Sequence, residues 1–192
     1  GPDFPSIESR IMAEQRRPNI VITMADDQRH DTIGALGHPH VKTPHLDALA
    51  RRGTTMRRTY IQGSTLPAVC APSRAMLHSG RNLFDLPDEM IGPNEPARYR
   101  PQRIDRAPLL GEVLRDHGYH NFITGKWHNG KHTLARSFDD GAAIFFGGMC
   151  DHDKTPVHDF DPTGAFPDDQ SRIGEKFSTD LFTDAAVDFL DG

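Results

Sequence analysis

Residues 19–25 read Asn-Ile-Val-Ile-Thr-Met-Ala and stop abruptly at Asp26-Asp27. A β-branched run without polar alternation is the pattern of a strand covered on both faces, which is characteristic of a parallel sheet. A parallel sheet needs crossover helices, and the next segments supply helical signals. Thr43 stands as a helix N-cap, Pro44 suits the first turn, Gly53 suits the exit, and Leu46, Leu49 and Ala50 share one face. Further along, Leu110, Val113 and Leu114 share a face that ends at Gly118, and residues 119–124 read as a second strand. Leu181, Phe182, Ala185, Ala186, Phe189 and Leu190 predict a terminal helix with a broad apolar stripe. Strands alternating with helices imply an α/β fold with right-handed crossovers. Long Pro/Gly-rich loops are expected at about 82–107 and 139–178, a length that goes with function or insertion.

Composition removes several classes of function. The 192 residues include 22 basic and 27 acidic side chains, a net charge of −5. That balance argues against a general nucleic-acid binder, whose affinity comes from Lys and Arg on phosphates. The longest apolar stretch, 20–25, is far too short for a membrane span. Cys70 and Cys150 are the two cysteines, without a CxxC spacing, so neither a disulfide scaffold nor a zinc site is indicated. Residues 1–17 read as a polar lead-in whose Gly1-Pro2 resembles a tag-cleavage scar, and 18–192 as one catalytic portion.

Three clusters carry chemistry. Asp26 and Asp27 stand at the carboxyl end of the first predicted strand, the edge where open α/β sheets bind ligands. Two carboxylates about 4 Å apart repel by roughly 4 kcal/mol at an effective dielectric near 20. A hard divalent cation removes that cost, whereas a solvated acidic turn is the simpler alternative. In Cys70-Ala71-Pro72-Ser73-Arg74, Pro72 suits the first turn of a helix that Gly80 closes, so Cys70 is expected just before a helix N-terminus, where anions are favoured. Gly125-Lys126-Trp127-His128 follows the second strand and offers a fixed cation and an imidazole.

Together these clusters resemble the sulfatase family. Cys-x-Pro-Ser-Arg with a later Gly80-Arg81 matches its signature, Gly125 to His128 its second block, and Pro18-Asn19-Ile20-Val21 through Asp27 its first. The three blocks occur in the family's order and cover residues 18–130. The resemblance implies an alkaline-phosphatase-like α/β fold, with a mostly parallel sheet flanked by helices and only the N-terminal part present here. It implies hydrolysis of a small-molecule or carbohydrate sulfate ester. Cys70 would be oxidised to formylglycine by a formylglycine-generating enzyme and then hydrated to a diol. Asp26, Asp27 and the converted Cys70 would hold Ca²⁺, or Mg²⁺ in its place. Arg74 would hold the diol, Lys126 would contact diol and sulfate, and His128 would take a proton from the second hydroxyl. Further metal ligands of the family, an Asp with Asn or His, and a later Lys and His, are expected outside this chain, on a C-terminal part or a companion polypeptide. A periplasmic or secreted setting goes with the resemblance.

Two other readings use the same residues. Phosphonate monoester or phosphodiester hydrolases share the Cys-x-Pro-Ser-Arg motif, and the chain by itself could be a non-catalytic anion-binding fragment. Asp151, His152, Asp153, His158, Asp159 and Asp161 lack regular ligand spacing and are expected to be solvated or to line a subsite. Arg98, Arg100, Arg103 and Arg106 are expected in a solvated basic loop.

Overall fold

The computed structural model describes residues 17–64, 68–91 and 106–192. Residues 1–16, most of the expected lead-in, and Arg98, Arg100 and Arg103 lie outside the described residues. The chain divides into two units, Gly1–Gly53 and Thr54–Gly192.

In the first unit, helix α1 (Pro44–Arg52) forms where the sequence places it. Thr43 precedes it, but its hydroxyl caps no helical N–H. Instead Thr43 Oγ1 accepts from Gly34 N–H at 2.9 Å and donates to Asp47 Oδ1 at 2.7 Å. Asp47 Oδ1 also accepts from Ala35 N–H at 2.8 Å, tying the 3₁₀ turn Gly34–Leu36 to the helix. The hydrogen bond from Thr43, then that from Ala35, holds the Asp47 carboxyl below the usual carboxylate range.

The expected buried strand at 19–25 is not formed. These residues are irregular and exposed, with Val21 at 75% and Ile22 at 52% of full accessibility. A β-branched run favours extended backbone, but a strand exists only through hydrogen bonds to a neighbour. Among the described residues, the two sheets contain only strands of the second unit.

The second unit is built on a parallel pair, β1 (Phe122–Lys126) with β2 (Asp140–Phe145). β1 starts three residues later than the sequence predicts, and β2 falls inside the segment expected to be loop. That segment also holds the short antiparallel pair β3 (Pro156–Val157) and β4 (Arg172–Ile173). Among the described residues the strands thus form a parallel pair and a short antiparallel pair, less uniformly parallel than the expected α/β sheet.

Helices α2 (Cys70–Ser79), α3 (Asp88–Ile91), α4 (Leu110–Asp116), α5 (Lys131–Ser137) and α6 (Ser178–Asp191) complete the unit. Leu86, Met90, Leu109, Trp127, Leu134 and Ile144 make the main core. On the other side, Leu181, Phe182 and Ala185 of α6 pack on Ala143, Phe145 and Val157. Phe189 stacks on Phe122 at 4.2 Å between ring centroids. The apolar stripe of α6 thus covers the β1–β2 pair, although Leu190 remains 65% exposed.

One irregularity directs the site. The β1–β2 register slips between Thr124 and Gly125, leaving Ala143 as an extra residue with φ 51°. Such a bulge re-aims the residues beyond it. Gly125 has φ 84°, and a Cβ there would stand 3.3 Å from the Phe182 ring, so both backbone and packing call for glycine.

Candidate active site

Cys70 is the first residue of α2, after Val69, and is partly buried with its thiol unbonded. Arg74 lies one turn further along and is only 8% exposed. A buried guanidinium needs acceptors. One acceptor is the carbonyl of Lys126, which takes a hydrogen bond from Arg74 Nη1. The helix that carries Cys70 is therefore tied to the end of β1. A second tie follows three residues later, where Asn129 Nδ2 donates to the carbonyl of Ala71 at 3.1 Å.

The turn at 126–129 is equally well fixed. Trp127 N–H donates to the Phe145 carbonyl at 2.8 Å, extending the parallel ladder beyond Lys126. The Trp127 ring is fully buried, and its Nε1 donates to the Gly130 carbonyl at 2.9 Å. Lys126 Nζ donates to the carbonyl of Gly148 at 2.6 Å. His128 has φ 56°, and its ring borders the same glycine. The second unit thus brings the elements carrying Cys70, Arg74, Lys126 and His128 together by direct hydrogen bonds.

Asp26 and Asp27 belong to the first unit, in a bend after residues 19–25. Asp27 has φ 54°, a left-handed conformation that Asp tolerates better than most residues. Carboxylate oxygens are the donors that Ca²⁺ and Mg²⁺ prefer. The pair fits a hard cation in kind. Among the described residues, no group of three or more His, Cys, Asp or Glu side chains gathers to hold a metal.

The other polar candidates have structural partners. His152 Nδ1 and Ser178 Oγ hydrogen-bond at 2.8 Å, with the His152 ring stacked on Phe177. His158 is 8% exposed and bonds through Nε2 to the Pro167 carbonyl. Asp159 pairs with Arg172 at 3.1 Å, and Asp161 accepts from Thr163 in a tight turn. Arg106 pairs with Glu112 at 3.2 Å.

Three features of the site have no signature in the sequence. His78 packs against Trp127 at 4.5 Å, and burial, with help from the Arg74 charge, pushes its pKa down to about 4. Asn129 ties the helix of Cys70 to the 126–129 turn, while its own Oδ1 is buried without a hydrogen-bond partner among the described residues. Gly148 touches both Lys126 and His128. The pattern that marks each of these is tertiary contact rather than spacing.

The sulfatase family model matches residues 18–192. The chain belongs to the sulfatase family. It is 34% identical to N-acetylgalactosamine-6-sulfatase of Mus musculus over 193 aligned residues, covering 90% of this chain and 36% of that enzyme. It is 32% identical to the arylsulfatase of Klebsiella aerogenes, covering 86% of this chain and 36% of that protein. Arylsulfatase A of Bos taurus is 38% identical over 122 residues, covering 62% of this chain and 22% of that protein. The chain thus spans about a third of the first two relatives' length. Membership brings an alkaline-phosphatase-like fold, with which the helices and parallel pair of the second unit are compatible. No helix among the described residues is long and apolar enough to cross a membrane.

Proposed function

We propose that this sulfatase-family protein hydrolyses a sulfate ester of a carbohydrate or other small alcohol, with residue 70 as its nucleophile. The observation that carries the reading is the tie between Arg74 and the Lys126 carbonyl, which joins the Cys-x-Pro-Ser-Arg helix to the Lys126–His128 turn. This bond joins two segments separated by 52 residues in sequence.

The gene-encoded thiol is the precursor. A formylglycine-generating enzyme is the proposed partner that reads 70–74 and oxidises Cys70. As a hydrated aldehyde, residue 70 supplies one hydroxyl to attack sulfur and a second whose deprotonation releases the sulfate, a route closed to serine. Asp26, Asp27 and residue 70 would be the oxygen ligands of a divalent cation, Ca²⁺ first and Mg²⁺ second, which would supply positive charge to the sulfate oxygens.

The chain's own groups do the rest. Arg74, fixed by its carbonyl acceptor, orients residue 70 and offsets negative charge beside it. Lys126 offers an ammonium whose Nζ is already aimed by the Gly148 carbonyl. Positive groups aimed before the reaction stabilise developing charge without reorganising during it. His128 accepts the proton that frees the product, the work of a positioned general base. Overall, the ester and one water give the alcohol and inorganic sulfate. A secreted or periplasmic setting belongs to the same proposal.

Co-expression with a formylglycine-generating enzyme tests it directly. The peptide containing Cys70 should become lighter by one sulfur and two hydrogens exchanged for one oxygen. The chain by itself is expected to turn over sulfate esters poorly or not at all; the converted full-length enzyme, supplied with Ca²⁺, should cleave 4-nitrophenyl sulfate or a 6-sulfated sugar faster than the matched phosphate esters. An unconverted Cys70 in active protein would overturn the mechanism. Faster cleavage of the phosphate ester would shift the assignment to phosphoester hydrolysis.

A further inference from the structure

We propose that Gly148 is a positioning residue for both Lys126 and His128, and that its lack of a side chain sets where the His128 imidazole stands. The role in catalysis rests on the functional reading above; the geometry does not. Lys126 Nζ donates to the Gly148 carbonyl at 2.6 Å. On the same residue, an added Cβ would stand 3.1 Å from both Cε1 and Nε2 of His128. One backbone unit therefore holds the lysine by its carbonyl and the histidine by its bare Cα.

The surroundings leave this unit little freedom. Gly148 follows β2 by three residues, and the end of β2 is bonded to the start of the catalytic turn through Trp127 N–H and the Phe145 carbonyl. At the preceding position, a Cβ on Gly147 would fall 2.5 Å from the Phe145 ring, so this segment lies directly on a ring that is only 6% exposed. On the other side, Trp127 is locked into the core, which fixes the backbone from which His128 projects. With both backbones held, a methyl group at 148 has one easy means of relief, namely displacement of the imidazole by a few tenths of an ångström. The carbonyl of residue 148 is unchanged by the substitution, so the lysine keeps its acceptor. Placement errors of this order matter at a catalytic group, since bound geometry sets much of the rate.

Gly148→Ala separates the two contacts, and Met149→Ala is the control, because Met149 is 95% exposed on the same segment. Histidine ring and lysine ammonium signals, read by NMR on the purified chain, need no turnover. In Gly148→Ala the His128 ring signals should move while the Lys126 signal and the other histidines stay in place. In Met149→Ala none should move. Unmoved His128 signals in Gly148→Ala, or a shift of every histidine together, would overturn the proposal. In formylglycine-bearing protein, Gly148→Ala should lower kcat roughly tenfold, a part of the 10²–10⁴ that a positioned acid or base contributes, with KM nearly unchanged. A KM change with kcat preserved would also overturn it. Absence of sulfatase activity in the converted full-length wild-type enzyme would refute the functional reading but leave the NMR result standing.

Discussion

The two units of this chain carry different parts of the same motif set on very different foundations. In the first, Asp26 and Asp27 follow a β-branched run that lies open, and none of its described residues is buried. In the second, Trp127, Leu134 and Ile144 are fully buried, and the 126–129 turn is hydrogen-bonded to both a helix and a strand. The difference shows that a motif and its support are separable. Asp-Asp requires only two carboxylates at a chain reversal, whereas Lys126 and His128 require a buried Trp127 between them and a ladder bond beyond it. Burial makes the second unit's geometry costly to disturb; exposure leaves the first unit's side chains replaceable.

The largest effect that would test this contrast is at Cys70. Cys70→Ala should abolish sulfate-ester turnover while changing stability by only about 1 kcal/mol, since the thiol is a small, partly buried group at a helix start. Activity assays beside urea denaturation check both halves; a large loss of stability would make Cys70 part of the scaffold. Trp127→Ala comes next. It removes the fully buried ring that anchors the 126–129 turn in the core and should cost roughly 3–5 kcal/mol, as for other buried aromatic truncations. A midpoint change in urea of much less than this would mean that the turn is held by its hydrogen bonds alone.

A third prediction concerns His78, half-buried and packed against that same ring. Its pKa falls from the ordinary 6.5 to about 4 in the folded protein. Between those two values the unfolded chain takes up a proton that the folded chain refuses. Stability is therefore full above about pH 6.5 and declines as the pH falls toward 4, by roughly 3 kcal/mol for this group. His78→Phe keeps an aromatic ring and removes the titration, so the wild type should lose more stability than the variant between pH 7 and pH 4. Parallel curves for the two proteins would contradict the burial argument. The smallest effect belongs to the first unit. Val21→Thr should change stability by less than about 0.5 kcal/mol, the usual range for exposed positions. A cost of several kcal/mol there would show that residues 19–25 are covered in the folded protein.

Some of this was legible in the chain alone, and local physics explains which parts. Thr43, Pro44 and Gly53 bracket α1; Pro72 and Gly80 bracket α2; the stripe from Leu181 to Phe189 announces α6. Helical hydrogen bonds join residues four apart, so the information lies within a few neighbouring positions. The resemblance carried by Cys70, Arg74, Lys126 and His128 was likewise readable, because it rests on short contiguous motifs that match the sulfatase family's signatures.

The strands were read less well. Residues 19–25 have the composition of a buried strand and lie exposed, while β2, with its Gly141-Ala142-Ala143 stretch, has a weak strand signal and forms half of the central pair. A strand is completed by a partner distant in sequence, and neither partner nor register can be read from its own residues. The same non-locality explains His78, Asn129 and Gly148. Nothing in their sequence neighbourhoods indicates that one packs against Trp127, that another bonds to Ala71, or that the third borders Lys126 and His128. The sequence by itself determined the residue types available for chemistry and the helices that present them. Only the tertiary structure decided which backbone atoms hold those residues, because the contacts join segments 20 or more positions apart, such as Lys126 and Gly148 across 22.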